Sequence, residues 1–134
     1  MRSLLLLAVL SIVACGGDNG TGPSTPPPVP SATGTWLGNA VTDFGANRFI
    51  TLALQENGQT VSGTCSVAVS LVDPPYWTCS VSGAHDHPSL DLTLTEPTFA
   101  PLTITGTFTD ANTYSATLSG TAGWTNTPVT FMRQ

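Results

Sequence analysis

Two histidines stand one residue apart in His85-Asp86-His87, with Asp91 close behind, the densest group of metal-type ligands in the chain. On a strand, positions 85 and 87 share a face, and two imidazoles there reach one ion. Gly83, Pro88 and Ser89 nevertheless mark the run as a loop, where a His-Asp-His stretch is ordinarily solvated, so no metal is expected. Serines are plentiful, but a nucleophile needs an oriented base and a site for the oxyanion. Both histidines sit in this one run with no nucleophile motif beside them. Paired carboxylates could serve glycoside hydrolysis, yet Asp43, Glu56, Asp73, Asp86, Asp91, Glu96 and Asp110 nearly all fall in turns, where acids serve as turn formers. The expectation is a protein that is not an enzyme and holds no cofactor.

Thiols are the other reactive groups, at Cys15, Cys65 and Cys79. Met1-Arg2 is a short positive start, residues 3–13 are apolar, and Ala14 is small, the arrangement of a secretory signal. The apolar run is too short to span a bilayer. Ile12-Val13-Ala14-Cys15 resembles the bacterial lipobox. That resemblance implies removal of residues 1–14, a diacylglycerol on the Cys15 sulfur, and a membrane held through that lipid. In this family an aspartate after the cysteine favours the inner membrane. Gly16 stands there instead, which implies display in the cell envelope, on the outer membrane or the cell surface. The stretch to residue 32 follows as a tether: GGDNGTGPSTPPPVP, residues 16–30, offers almost nothing to bury, and its proline half favours extended polyproline geometry.

Behind the tether, residues 33–134 form one small domain. Charged residues are only 8% of the 134, lysine is absent and the net charge is −5, which leaves no basic patch for nucleic acid. Hydrophobic residues make up 40% and recur with a period, so the domain folds.

That period is two. Cys65-Val67-Val69-Leu71, Trp77-Cys79-Val81, Leu90-Leu92-Leu94 and Leu102-Ile104-Gly106-Phe108 each alternate with polar residues, as does the series Tyr114-Ala116-Leu118-Gly120-Ala122-Trp124. With weaker patterns at 35–41, 48–54 and 128–133, about eight strands are expected, separated by turn-rich pieces such as Asp43-Phe44-Gly45 and Asp73-Pro74-Pro75. No window shows helical spacing. Short connections favour antiparallel neighbours, so the expected fold is all-β, an up-and-down barrel with a β-sandwich as the alternative. Thr33-Gly34-Thr35-Trp36, Ser62-Gly63-Thr64-Cys65, Thr105-Gly106-Thr107-Phe108 and Ser119-Gly120-Thr121-Ala122 share a [ST]-Gly-Thr pattern. Recurring strand glycines suggest a sheet that coils toward closure, which favours the barrel.

With Cys15 given to lipid, Cys65 and Cys79 remain as an even pair in an oxidising compartment. Folding the hairpin about Val72 sets Cys65 opposite Cys79 and Val67 opposite Trp77, so a cross-strand disulfide is expected. Two thiols without a third ligand nearby make a metal site improbable by comparison.

Gly34-Thr35-Trp36 opens the first strand and Arg133 closes the last. The pairing is similar to that of the calycin superfamily, which holds lipocalins, fatty-acid-binding proteins and avidins. There a Gly-X-Trp tryptophan sits at the closed end of a barrel and an arginine near the C-terminus packs across it, a contact favoured by cation–π attraction. The resemblance implies a lipocalin-like binding barrel with Trp36 and Arg133 as its closing pair. The usual second lipocalin motif and C-terminal helix are absent, and the biotin contacts of avidins find no counterpart. Small envelope inhibitors of proteases and lysozyme are similar in size and disulfide use only.

Trp77, Tyr114 and Phe108 are the candidate ligand-lining residues, able to stack on a flat or acyl ligand if the barrel is hollow. In so short a domain the aromatic residues, with Trp36, Phe49, Trp124 and Phe131, also suffice to fill the core. Two functions follow: a module for a small apolar ligand with a hollow interior, or an envelope protein-interaction or inhibitor module with a filled core and contacts through loops 42–48, 72–76 and 84–89. A membrane-spanning barrel is disfavoured, because such a barrel commonly ends in an aromatic residue and this chain ends Met132-Arg133-Gln134 behind a lipid anchor.

Overall fold

The computed structural model describes residues 22–121 and 123–134. The stretch expected to be a signal segment, Cys15 and most of the glycine-rich part of the expected tether lie outside the described residues, as does Ala122.

Eight strands follow one another in the chain: β1 Gly34–Val41, β2 Asn47–Asn57, β3 Thr60–Ala68, β4 Trp77–Asp86, β5 Ser89–Thr95, β6 Leu102–Asp110, β7 Thr113–Gly120 and β8 Trp124–Arg133. Each pairs antiparallel with the next, and β8 returns to β1, so the sheet closes as an up-and-down barrel and not as a sandwich. Period-two alternation is the cause. Every strand turns one face of Leu, Ile, Val and aromatic side chains inward and a face rich in Thr and Ser outward. The inward residues form one contiguous cluster, from Trp36 and Phe131 at one end to Trp124 at the other, that occupies the interior.

Closure depends on glycines that face inward. A Cβ on Gly63 would collide with the carbonyl oxygen of Ala53, on Gly83 with that of Asp91, and on Gly106 with that of Ser115. The neighbouring backbone coils across each of these positions as it could not across a side chain. Cys65 pairs with Cys79 and Val67 with Trp77 in the β3–β4 register, and the Cys65–Cys79 disulfide is formed among the buried residues. It closes a loop of about fifteen residues, worth roughly 3 kcal/mol in the chain-entropy model.

Three expectations need correction. β3 stops at Ala68, so Val69 and Leu71 leave the dry face and are exposed in the connection to β4. The pattern from Tyr114 to Trp124 is not one strand. β7 ends at Gly120, and Trp124 starts β8, four residues ahead of the expected 128. An irregularity in the β7–β8 pairing, with Asn126 at φ 51°, lets both Trp124 and Phe131 face inward although they are out of phase. Residues 84–89 are not a loop either. β4 runs through Asp86 and β5 begins at Ser89, leaving only His87 and Pro88 in the turn.

Candidate functional site

The meander gives the barrel two unlike ends. The connections 58–59, 87–88 and 111–112 lie at one end with residues 31–33 and the C-terminus. The connections 42–46, 69–76, 96–101 and 121–123 lie at the other. We call these the floor and the mouth.

The floor is locked by polar contacts. Trp36, 1% exposed, donates its indole N–H to the carbonyl of Ala32 at 2.8 Å. The guanidinium of Arg133 lies 4.2 Å from the Trp36 ring and donates to the carbonyls of Thr33, Ser31 (2.6 Å) and Ala111 (3.1 Å). Gly34, at φ 140°, leaves the room this side chain needs. Glu56 accepts from the Ala32 amide at 2.6 Å and the Ser31 hydroxyl at 2.8 Å, while its other oxygen lies 2.6 Å from Nδ1 of His85. Burial alone would raise the Glu56 carboxyl, but the hydrogen bonds from His85, Ser31 and Ala32 outweigh it and hold the group below its ordinary range. Residues 31–33 are thereby strapped across the barrel's end.

His85 is accordingly not a solvated loop residue. It continues the inward series Trp77, Cys79, Val81 and Gly83, is 4% exposed, and rests 5.0 Å from Phe108. His87 sits in the turn, while Asp86 and Asp91 face outward. The rings of His85 and His87 lie 5.8 Å apart, but the two aspartates do not join them, and no group of three or more ligating side chains is found among the described residues. Glu56 was missed as a partner because it is 29 positions from His85; the phase shared by residues 77 to 85 was the available signal that His85 turns inward.

The three candidate ligand-lining residues do not share a cavity. Phe108 and Tyr114 belong to the floor-end core, with rings 5.6 Å apart, and Trp36 is 5.5 Å from Phe108. Tyr114 donates to the carbonyl of Leu90 at 2.6 Å. Burial, and after it the charge of Asp91, push its hydroxyl pKa far above the ordinary value. Trp77 stands at the mouth, half-buried and edge-on to Phe99 at 6.4 Å. Of loops 42–48, 72–76 and 84–89, the first two share the mouth and the third is at the floor.

At the mouth Trp77 joins Phe44, Tyr76, Phe99, Thr121, Gly123 and Trp124 in lining a groove of about 560 Å³. Its aromatic walls are held from below. The Asp43 carboxylate accepts from the amide and hydroxyl of Thr125 at 3.1 and 2.8 Å, and the Asp43 amide donates to the carbonyl of Gly123 at 2.8 Å. This lays Phe44 against Gly123, where a Cβ would meet its ring. Arg48 donates to the Tyr76 hydroxyl at 3.0 Å and fixes the opposite wall. Phe44 and Tyr76 lie in loops 42–48 and 72–76, which the sequence offered as contact loops without singling out either ring, whereas Phe99 was missed; an aromatic residue beside turn formers was the available sign. A second groove, about 620 Å³ over the outer face of β2 to β5, is lined by small residues such as Thr51, Thr64, Ser80 and Pro97. It contains no aromatic or titratable side chain, and its lining is Thr and Ser with Ala53, Pro97 and the Cys65–Cys79 disulfide.

No protein-family model matches the chain, and no curated protein matches it. A solved structure described as "Structure of EF1p2_mFAP2b bound to DFHBI" is similar in shape, at 15% identity and a TM-score of 0.48 over 76% of this chain and 93% of that one. A likeness of that degree says nothing about function.

Proposed function

We propose that the chain is a lipid-anchored protein of the cell envelope, on the outer membrane or cell surface, whose barrel is a non-enzymatic binding module for a small apolar ligand held at its mouth. The anchor is Cys15, residues 1–14 are the signal segment, and residues 15–32 are the tether. The observation that carries the reading is the contrast between an interior filled by its own side chains and an aromatic groove at one end. A ligand is therefore held between Phe44, Tyr76, Trp77, Phe99 and Trp124, and not beside Phe108 and Tyr114 as in a hollow calyx. The filled interior also favours a second reading, in which the same mouth takes an apolar segment of an envelope protein.

Titration of the purified protein with a fluorescent fatty acid, followed by emission of the probe and of tryptophan, tests the ligand reading. Saturable binding that weakens about fivefold in Phe44→Ala or Phe99→Ala is expected, since each stacked ring contributes about 1 kcal/mol. Binding unchanged by both substitutions removes the mouth from consideration. Absence of binding moves the weight to the protein-segment reading. The mass of the N-terminal peptide tests the anchor separately, through the diacylglycerol on Cys15.

A further inference from the structure

Nine large apolar side chains are exposed among the described residues, and seven of them, Val41, Phe44, Val69, Leu71, Val72, Tyr76 and Phe99, gather at the mouth. The most extreme are Val72, 91% exposed, and Phe44, 86% exposed, at the tips of separate connections. Leu71 and Val72 do not line the groove, so a ligand seated there leaves them in water. A rim of this kind on one end of a barrel marks a surface that meets another apolar phase.

We propose that this rim seats on a lipid bilayer, with Phe44, Leu71, Val72 and Phe99 entering the boundary between headgroups and acyl chains. The inference deepens the binding reading and takes from it the anchor at Cys15.

Three observations favour a bilayer over a protein surface. The order of side chains along the barrel axis is that of an interface: Phe and aliphatic residues at the tips, then Tyr76, Trp77 and Trp124 toward the barrel body. Three of the four charged groups of this end are hydrogen-bonded, Asp43 to Thr125, Arg48 to Tyr76 and Glu96 to Thr98. The fourth, Asp73, is exposed beside Val72 and stays at headgroup level when the rim is seated. Finally, the chain reaches. Ser31 is fixed at the floor, and the 16 residues from Gly16 to Ser31 connect it to Cys15. At the limiting reach of ~3.3 Å per residue for an extended chain they span at most ~50 Å, whereas strands of this length at the usual tilt make a barrel ~25 Å tall. The tether is long enough to pass alongside the barrel and bring the mouth to the leaflet that holds the lipid, where the rim is at high effective concentration. With no lysine and an excess of carboxylates, the rim is suited to a zwitterionic surface and gains nothing from anionic lipid.

The mature protein reconstituted into phosphatidylcholine vesicles tests this, with the phosphatidylcholine either plain or brominated on its acyl chains. Loss of most of the Trp77 and Trp124 emission in brominated vesicles is expected, with Trp36 at the floor left bright. The double variant Leu71→Asp, Val72→Asp alters only exposed side chains that do not line the groove. Its emission should return to that in plain vesicles while its thermal unfolding stays in place. Salt should have little effect. Unquenched emission from the anchored wild type overturns the proposal, as does equal quenching of the variant, or a crosslinked dimer through the mouth that shields both tryptophans. The mass of the N-terminal peptide keeps the anchor distinct. If the diacylglycerol is missing, the same vesicles are added in excess to the unanchored chain, where quenching still supports the rim and its absence still overturns it.

Discussion

Arg133 and Trp36 meet at the floor of the barrel with the guanidinium 4.2 Å from the indole ring. Together they take the carbonyls of three successive residues: Trp36 donates to Ala32, and Arg133 to Ser31 and Thr33. The last strand is thus tied to the segment ahead of the first. Arg133→Ala removes the cation–π contact and leaves the part-buried Thr33 carbonyl without this donor, at a cost of roughly 1–2 kcal/mol. Arg133→Lys keeps the charge but not the planar fork and recovers less than half of this. Urea unfolding measures the loss, and amide exchange at Ala32 should accelerate in both variants. A wild-type midpoint for Arg133→Ala refutes the strap.

The disulfide staples the hairpin whose long connection carries Leu71, Val72 and Tyr76. Replacing both Cys65 and Cys79 by alanine should lower stability by about 3 kcal/mol. In a domain this size that is a fall in Tm on the order of 10–20 °C. The same result should follow from reduction of the wild type, and scanning calorimetry with and without reductant makes the comparison. Equal transitions would mean that the β3–β4 pairing does not need the bond.

The alternation that made the barrel legible also explains where sequence reading went astray. In Cys65-Val67-Val69-Leu71 the period continues past the end of β3, because period two records which side a residue faces and not whether a neighbouring strand covers it. Val69 and Leu71 keep the pattern and lose the cover. Near Asn126 the opposite occurs: an irregular pairing changes the phase, and a change of one residue is invisible to a pattern read along the chain. The cysteine register was legible because both residues sit on strong neighbouring alternations joined by one hairpin. The contact of Phe44 with Gly123 depends on closure of the barrel, and that of Glu56 with His85 joins β2 to β4 across the end of β3, so nothing local announces either.

Glu56 gives a pH dependence whose sign is fixed by its environment. Its carboxyl is held below the ordinary value of 4.5 in the folded protein, so it contributes stability above that value and loses the contribution as pH falls through the lower folded value. Glu56→Gln should be less stable than wild type at neutral pH, by on the order of 1–2 kcal/mol for charge-assisted hydrogen bonds made neutral. The gap should close on acidification from about pH 5 downward. Urea midpoints collected across that window decide it, and a gap that stays constant to low pH shows that the Ser31, Ala32 and His85 contacts do not depend on the charge.

Gly63 separates the requirements of closure from those of an ordinary strand. In a flat sheet, exchanging an interior glycine for a residue with a side chain usually helps, because glycine loses more freedom on folding and packs nothing. Here the position pairs with Leu54 and Val81 and faces the barrel interior, but the carbonyl of Ala53 lies where a Cβ would be. Backbone is the obstacle, so no rotamer change relieves it. Gly63→Ala should therefore destabilise by roughly 1–3 kcal/mol, the usual range for overpacking. Thr64→Ala next to it, outward and exposed, should be close to neutral. A Gly63→Ala variant as stable as wild type would require the β2 and β3 backbones to separate at no cost, and the close coiling that lets eight strands meet would then not depend on this glycine.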